Sequence, residues 1–228
     1  MKRVILSTAV LLIAVFSFAF FQPTPKKAVT TKKQTATAQN KVTTGETKAL
    51  PAAIEPTKWT VDKAHSNVKF NVTHMVVSEV EGSFKLFEGI MENSKPDFSD
   101  AKINFKVDVT SINTDNENRD KHLKGDDFFN AEKFPAMQFQ SISFTPAGGN
   151  KYKLAGNLTI RDVTRPVVFD VTYGGSVINQ GKTKAGFKAK TTINRFDYGL
   201  KWDKATEAGG LVVSKEVELL LNLEMNKA

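Results

Sequence analysis

The sequence predicts an all-β protein, built as an extended eight-stranded antiparallel barrel with a short helical lid segment. After residue 57, apolar and polar residues alternate with a period of two in run after run, which is typical of strands that bury one face. Short turn sequences separate the runs, as antiparallel neighbours require. One helical pattern interrupts them, and there is no βαβ alternation. A two-sheet sandwich would satisfy the same alternation, but only closure removes the exposed sheet edges.

The N-terminal segment, residues 1–21, has the pattern of an export signal. Lys2 and Arg3 precede an apolar run of 18 residues, and small residues at Ser17 and Ala19 predict cleavage after Ala19. An uncleaved membrane anchor is the alternative, because the run approaches the length of a membrane span. In both cases we expect the rest of the chain to be periplasmic or extracellular. The chain contains no Cys, so disulfides cannot stabilise it.

Residues 22–57 are rich in Thr, Lys and Pro and contain no aromatic residue, which predicts a disordered linker before a barrel domain at 58–228. Residues 1–55 carry eight Lys or Arg and two Glu, a net charge of +6. The remaining 24 basic and 22 acidic residues give residues 56–228 a net charge of only +2. The basic tail therefore accounts for most of the charge. We expect no nucleic-acid partner, and at most a weak membrane-surface contact through the tail.

Eight alternating runs predict the strands in chain order, each with an apolar face. Their inward-facing members are Val68, Phe70 and Val72; Phe84 and Leu86; Ile103, Phe105, Val107 and Val109; Met137 and Phe139; Leu154, Leu158 and Ile160; Val167, Phe169 and Val171; Phe187 and Ile193; and Val217, Leu219, Leu221 and Leu223. Three short sequences, 148–150, 161–164 and 180–181, predict hairpin turns.

The helical segment has its own start and stop signals. Thr114 and Glu117 have capping-box spacing, and Gly125 stands where a helix end favours a left-handed residue. Phe128 and Phe129 follow with no strand to pack beneath. We therefore expect these two rings to plug one end of the barrel.

Several spaced motifs follow one another in a fixed order between Trp59 and Met225. The residues concerned are His65, Ser66, Val68, Phe70, Val72, His74, Val80, Gly82, Phe84, Phe87, Gly89, Ile112, Arg119, Asp120, His122, Leu123, Phe128, Phe129, Phe134, Pro135, Gly156, Leu158, Thr159, Ile160, Thr164, Pro166, Asn194, Arg195 and Gly199. Together they closely resemble the YceI-like, polyisoprenoid-binding family. The resemblance implies a lipocalin-like barrel, exported in bacteria, that holds a polyisoprenoid, quinone-like or other long-chain amphiphilic lipid for transport, storage or protection. Asp162, Ser214 and Lys215 depart from the family pattern, all at turns.

Side chains with inward parity form the expected cavity wall for such a lipid. They are Phe70, Val72, Phe84, Leu86, Phe105, Phe139, Leu158, Phe169 and Phe187. Burial of a lipid tail at roughly 0.8 kcal/mol per methylene would give affinity without a specific polar contact. The bound lipid would be the ligand, and no cofactor is expected. The same side chains would also suit a closed core, because parity does not distinguish a wall from a core.

Five polar residues are candidates for the mouth or the lid of the barrel: His74, Arg119, Asp120, His122 and Arg195. Arginine suits a phosphate headgroup, although pairing with neighbouring residues is the favoured interpretation.

A zinc site built from all three histidines, His65, His74 and His122, would need them to converge. No short-spaced ligand pair occurs, nor any nucleophile elbow, Gly-rich phosphate loop or metalloprotease helix. We therefore predict that the protein is not an enzyme. A metal-dependent or hydrolytic enzyme using the histidines, and a closed-core envelope stress protein without ligand, are the alternatives. The sequence leaves open a homodimer.

Overall fold

The computed structural model of the protein describes residues 55–207 and 209–228. The predicted export signal and nearly all of the predicted linker lie outside these residues. Within the described ranges no helix has both the length and the apolar character needed to cross a membrane.

Eleven strands and one α-helix form the described domain. The strands are β1 (Thr57–Val61), β2 (Asn67–His74), β3 (Ser78–Phe84), β4 (Phe87–Asn93), β5 (Lys102–Asp108), β6 (Ile112–Asn113), β7 (Ala136–Pro146), β8 (Lys151–Ile160), β9 (Val163–Asn179), β10 (Lys182–Asn194) and β11 (Val213–Lys227). The helix α1 (Glu117–Lys124) lies between β6 and β7, and 3₁₀ turns occupy Val109–Ser111 and Arg195–Tyr198.

The sheet closes on itself as an antiparallel barrel. Its order is β1-β4-β5-β7-β8-β9-β10-β11, and β11 pairs with β1 to complete the ring. The first part of β11 pairs instead with β2, which continues to β3 and β6. Three of the barrel strands are therefore bent, and each consists of two consecutive segments. These are β1 with β2, β3 with β4, and β5 with β6. Counted in this way, the barrel has the eight antiparallel strands that the sequence predicts.

The turns between the long strands match their sequences. Gln180 and Gly181 join β9 to β10 with φ values of 51° and 75°, the left-handed pair that a tight hairpin needs. Arg161 opens the β8–β9 turn with φ 57°. These short connections place β8, β9 and β10 side by side over most of their lengths.

The break between β3 and β4 changes which side chains face inward. β3 ends at Phe84, and the backbone N–H of Leu86 leaves the ladder to donate to Ser111 Oγ at 3.0 Å. Leu86 is 56% exposed, whereas Phe87 is buried. The assignment of Leu86 to the cavity wall is therefore wrong, because the alternation restarts after the break.

The lid helix begins later than the capping-box spacing suggests. Asn116 is the N-cap, and its side chain accepts a hydrogen bond from the Arg119 backbone N–H at 2.9 Å. Thr114 precedes the cap and contacts Asp120 instead. Gly125 ends the helix with φ −72°, so its conformation is not left-handed.

Candidate functional site

An apolar cavity of about 180 Å³ lies inside the barrel beneath the lid. Seven of the nine expected wall residues line it: Phe70, Val72, Phe84, Phe105, Phe139, Leu158 and Phe169. Further apolar lining comes from β11, through Leu219, Leu221 and Leu223, and from Ala189 on β10. Lys69, Gln138 and Arg195 are the polar residues of this lining. The barrel is therefore hollow, and its wall is apolar over nearly its whole extent.

An aromatic cluster closes the end of the barrel away from the lid. Phe98, in the loop between β4 and β5, packs against Trp59, Tyr173 and Phe187 with ring centroids 5.9, 5.4 and 5.5 Å apart. Phe98 is buried and has φ 58°, which is strained for a phenylalanine. Phe187 belongs to this plug and does not line the cavity, contrary to its assignment to the wall. An aromatic residue within the polar turn sequence 95–100 was the available signal for Phe98.

Two phenylalanines close the other end, as the sequence predicts. Phe129 packs edge-to-face on Phe84 of the barrel wall, with centroids 5.9 Å apart, and Phe128 lies 5.7 Å from the ring of Trp202. Both phenylalanines line the cavity. The loop that carries Trp202 therefore packs against the lid, through the rings of Phe128 and His122.

Arg161 fastens the lid to the barrel, a role that sequence reasoning missed. Its guanidinium donates to the carbonyl oxygens of Phe128 and Gly199 at 3.2 and 3.0 Å, and to the Asp126 carboxylate at 3.2 Å. One planar group thus joins the β8–β9 turn, the lid and the chain after β10. In the sequence, its only signal was an arginine at the start of the predicted turn 161–164.

Arg119 and Asp120 hold the lid in place and do not face the cavity. Arg119 donates from Nε to Thr114 Oγ1 at 2.8 Å and from Nη2 to the Thr114 carbonyl at 2.7 Å. The buried carboxylate of Asp120 accepts from the Thr114 backbone N–H and hydroxyl at 2.9 and 2.6 Å. Structural pairing, the favoured interpretation of these residues, describes both.

The three histidines have separate surroundings. His122 Nε2 lies 2.9 Å from Asp127 Oδ2, and its ring packs on Phe128 in the lid. His74 ends β2 half-buried, beside Val213 of β11. His65 lies in the turn before the opposite end of β2, a strand that spans roughly 23 Å from Asn67 to His74. They therefore do not converge, and the shared zinc site is not formed.

His65 belongs to an ionic cluster on the outside of the barrel. Asp62, His65 and Glu224 offer ligand atoms within 4.8 Å of one another. Lys184 Nζ lies 3.0 Å from Asp62 and also contacts Glu224, so its ammonium takes the place that a metal cation would need. The Lys184 ammonium, with His65, holds the pKa of Asp62 well below its usual range, and Glu224 and Asp62 raise the pKa of Lys184.

Arg195 is a buried cation at the lid end of the cavity. It is 4% exposed and donates to the carbonyl oxygens of Ser214, Leu200 and Val213 at 2.9, 2.8 and 3.0 Å. No carboxylate of the described residues lies within 4.0 Å of it. Burial lowers the pKa of its guanidinium, an effect that the charge of Asp203 opposes. Arg195 therefore brings to an apolar cavity a positive charge that has no directly contacting carboxylate among the described residues.

Comparison with known proteins assigns the fold to a family. The family model described as "YceI-like domain" matches residues 59–225, most of the chain and nearly all of the barrel. The chain belongs to the YceI-like family. A UPF0312 protein of Staphylococcus aureus strain N315 is 37% identical over 172 residues, which cover 75% of this chain and 98% of that protein.

Solved structures show the same barrel. The YceI protein of Campylobacter jejuni is 32% identical, with a TM-score of 0.60 over 74% of this chain and 96% of that chain. Burkholderia cenocepacia BcnA is 26% identical, with a TM-score of 0.63 over 72% and 98%. A polyisoprenoid binding domain from Saccharophagus degradans, implicated in plant cell wall breakdown, shares the fold at 14% identity and a TM-score of 0.55 over 75% and 98%. The matched barrel makes up 98% of the Staphylococcus protein and 96% of the Campylobacter chain, so in these relatives it folds without a further domain.

Proposed function

We propose that this YceI-like barrel holds a long-chain amphiphilic lipid, polyisoprenoid or quinone-like, in its interior and serves as a carrier or store for it. The observation that carries the proposal is the hollow apolar cavity that ends at one buried cation. Phenylalanine and aliphatic side chains line it on all sides, so an apolar chain would replace empty space or water favourably. The polyisoprenoid binding domain from Saccharophagus degradans, which has the same fold, supports this class of ligand.

Arg195 makes the two ends of the cavity chemically different, which would fix the orientation of a bound amphiphile. A guanidinium has five N–H donors, and three backbone carbonyls engage Arg195. The remaining donors would hydrogen-bond an acceptor headgroup, such as a phosphate or a quinone carbonyl. The headgroup would lie at the lid end, and the chain would extend toward the Phe98 plug.

A long chain requires the cavity to widen. Ligand pockets commonly measure about 300–1,000 Å³, more than the 180 Å³ present here. Phe98 at one end of the barrel, and Phe128 and Phe129 at the other, lie in loops rather than in paired strands. We therefore expect the lid and the Phe98 loop to shift when a lipid enters.

Native mass spectrometry of residues 55–228, purified without detergent and followed by organic extraction, tests the proposal. We expect a stoichiometric long-chain lipid. Ala189→Phe, which places a ring in the cavity, should abolish the bound mass, whereas Ala155→Phe, on the outer side of β8, should keep it. An empty wild-type barrel that also fails to take up a fluorescent lipid would favour a barrel that works without ligand.

We further propose that residues 1–21 direct export and that residues 22–54 separate the barrel from the cleavage site or anchor. The apolar run after Lys2 and Arg3 supports export. N-terminal sequencing of the protein from an export-competent bacterium tests this. A mature N-terminus at residue 20 is expected for cleavage, and an intact N-terminus in the membrane fraction for an anchor. An intact chain in the cytoplasm would contradict export.

A further inference from the structure

Five lysines line a shallow groove on the outer face of the barrel: Lys69, Lys151, Lys153, Lys188 and Lys190. They come from β2, β8 and β10, and the inward-facing residues between them, such as Tyr152, are buried. Asp170 is the one carboxylate among the groove residues, so five positive charges and one negative charge leave a net charge of +4.

Only part of this positive charge is balanced locally. Lys153 pairs with Asp170, and Lys69 Nζ lies 2.7 Å from Glu81, which borders the groove on β3. Lys151 donates to the Thr172 hydroxyl at 2.8 Å. Lys151, like Lys188 and Lys190, has no carboxylate of the described chain within 4.0 Å.

The groove concentrates charge that the domain as a whole lacks. Residues 56–228 carry 24 basic and 22 acidic residues, a net charge of +2, so the +4 of the groove exceeds the total and the rest of these residues sum to −2. Such an uneven distribution orients a protein toward an anionic surface.

We propose that this lysine groove docks the barrel onto the anionic headgroups of a membrane. The inference rests on the proposed function, because a lipid carrier exchanges its ligand at a bilayer. Lysine ammonium groups on a sheet face suit a dispersed array of phosphate charges, with each lysine near the surface contributing roughly fivefold in affinity. Single-stranded nucleic acid is disfavoured, because the only aromatic residue of the groove, Tyr152, is buried and offers no stacking platform.

Vesicle co-sedimentation of residues 55–228 tests the proposal without the basic tail. The probes are phosphatidylcholine vesicles with and without phosphatidylglycerol. The groove variant combines Lys151→Gln, Lys188→Gln and Lys190→Gln. The control variant removes the same charge at exposed positions outside the groove, with Lys102→Gln, Lys121→Gln and Lys201→Gln.

We expect wild-type binding that requires phosphatidylglycerol, and a loss of roughly a hundredfold in the groove variant. A groove variant at least tenfold weaker than the control variant supports the docking surface, and any smaller difference overturns it. Binding to pure phosphatidylcholine, or tighter binding to a single-stranded oligonucleotide, would also overturn it. Native mass spectrometry of the same preparations separates the two proposals, because an empty barrel that still docks through the groove would contradict only the lipid cavity.

Discussion

The ring of Phe70 lies against Gly82, its partner on the neighbouring strand, so closely that a methyl group at position 82 would be 2.2 Å from Phe70 Cζ. The relationship recurs around the cavity. Methyl groups at Gly89 and Gly156 would meet the rings of Phe105 and Phe139 at 2.5 and 2.4 Å. In each case a glycine on one strand lets a phenylalanine of the next strand lie along the wall. The centre of the barrel therefore stays open although large aromatic residues line it.

Gly82→Ala should drive the Phe70 ring off the wall and into the cavity. We expect the free energy of unfolding to fall by about 1–3 kcal/mol, the usual cost of overpacking, and lipid uptake to fall with it. Urea unfolding and native mass spectrometry measure the two effects. Gly186→Ala is the control, because no heavy atom lies within 4 Å of a methyl group there. Equal losses in the two variants would contradict this account.

Arg161→Lys should loosen the lid. An ammonium cannot reach the Phe128 and Gly199 carbonyls together as the guanidinium does. Loss of about 1.5 kcal/mol of local hydrogen bonding predicts roughly tenfold faster amide exchange in residues 125–131, with global stability changing less. Hydrogen exchange mass spectrometry checks this. The same change at Arg165, which makes one exposed contact to the Asp197 carbonyl, should leave the lid unaffected.

Arg195→Met should destabilise the barrel although it makes the interior more apolar. The carbonyls of Leu200, Val213 and Ser214 would lose their donor, and each buried unpaired group costs about 1–3 kcal/mol. We expect a loss of at least about 3 kcal/mol in the free energy of unfolding, measured with urea. Arg195→Lys should restore part of it. A Met variant as stable as wild type would contradict this expectation, because it would show that water can replace the guanidinium as the donor to these carbonyls.

The Asp62–Lys184 pair makes stability depend on pH. Since Lys184 lowers the pKa of folded Asp62, the stabilisation is complete above the unfolded value of about 3.9 and is lost as pH falls below it. The raised pKa of Lys184 gives the opposite pH dependence. Its contribution to the free energy of unfolding is present at neutral pH and is lost at high pH. Asp62→Asn should therefore lower the free energy of unfolding at pH 7, and the gap to wild type should narrow near pH 3. Asp162→Asn is the control, because it removes an exposed carboxylate that has no ion-pair partner among the described residues.

Alternation and turn residues predicted eight antiparallel strands, because each strand buries one face and short turns force antiparallel neighbours. They did not predict β1 or β4, and β1 closes the ring by pairing with β4 and β11. They failed where the backbone leaves the ladder. Leu86 sits in such a break, and parity counted through it gives the wrong face. Phe187 has the right parity but meets Phe98, whose position depends on a loop conformation that has no periodic signal.

The polar part of the site was harder to predict for a different reason. Arg161 and Arg195 donate to the carbonyls of Gly199 and Ser214, which the closed barrel brings close to them. Asp120 has a local partner, Thr114, in the segment just before the lid helix. Residue type shows that such groups need partners, but it does not show which carbonyls will supply them. The lysine groove was also hard to predict. Its members are far apart in sequence, and the near-neutral total charge of the domain conceals it.

The β2–β3 hairpin carries strain that a single substitution should relieve. Val76 lies at its tip with φ 65°, a left-handed conformation that is unfavourable for a β-branched residue, and it is 80% exposed. Asparagine tolerates this conformation, so Val76→Asn should raise the free energy of unfolding by about 1 kcal/mol. Val77 is 85% exposed but has no positive φ, so Val77→Asn removes a similar apolar surface without relieving strain. Urea unfolding of both variants separates the two effects. A gain confined to position 76 is expected from backbone strain, whereas equal gains would assign the effect to the loss of exposed apolar surface.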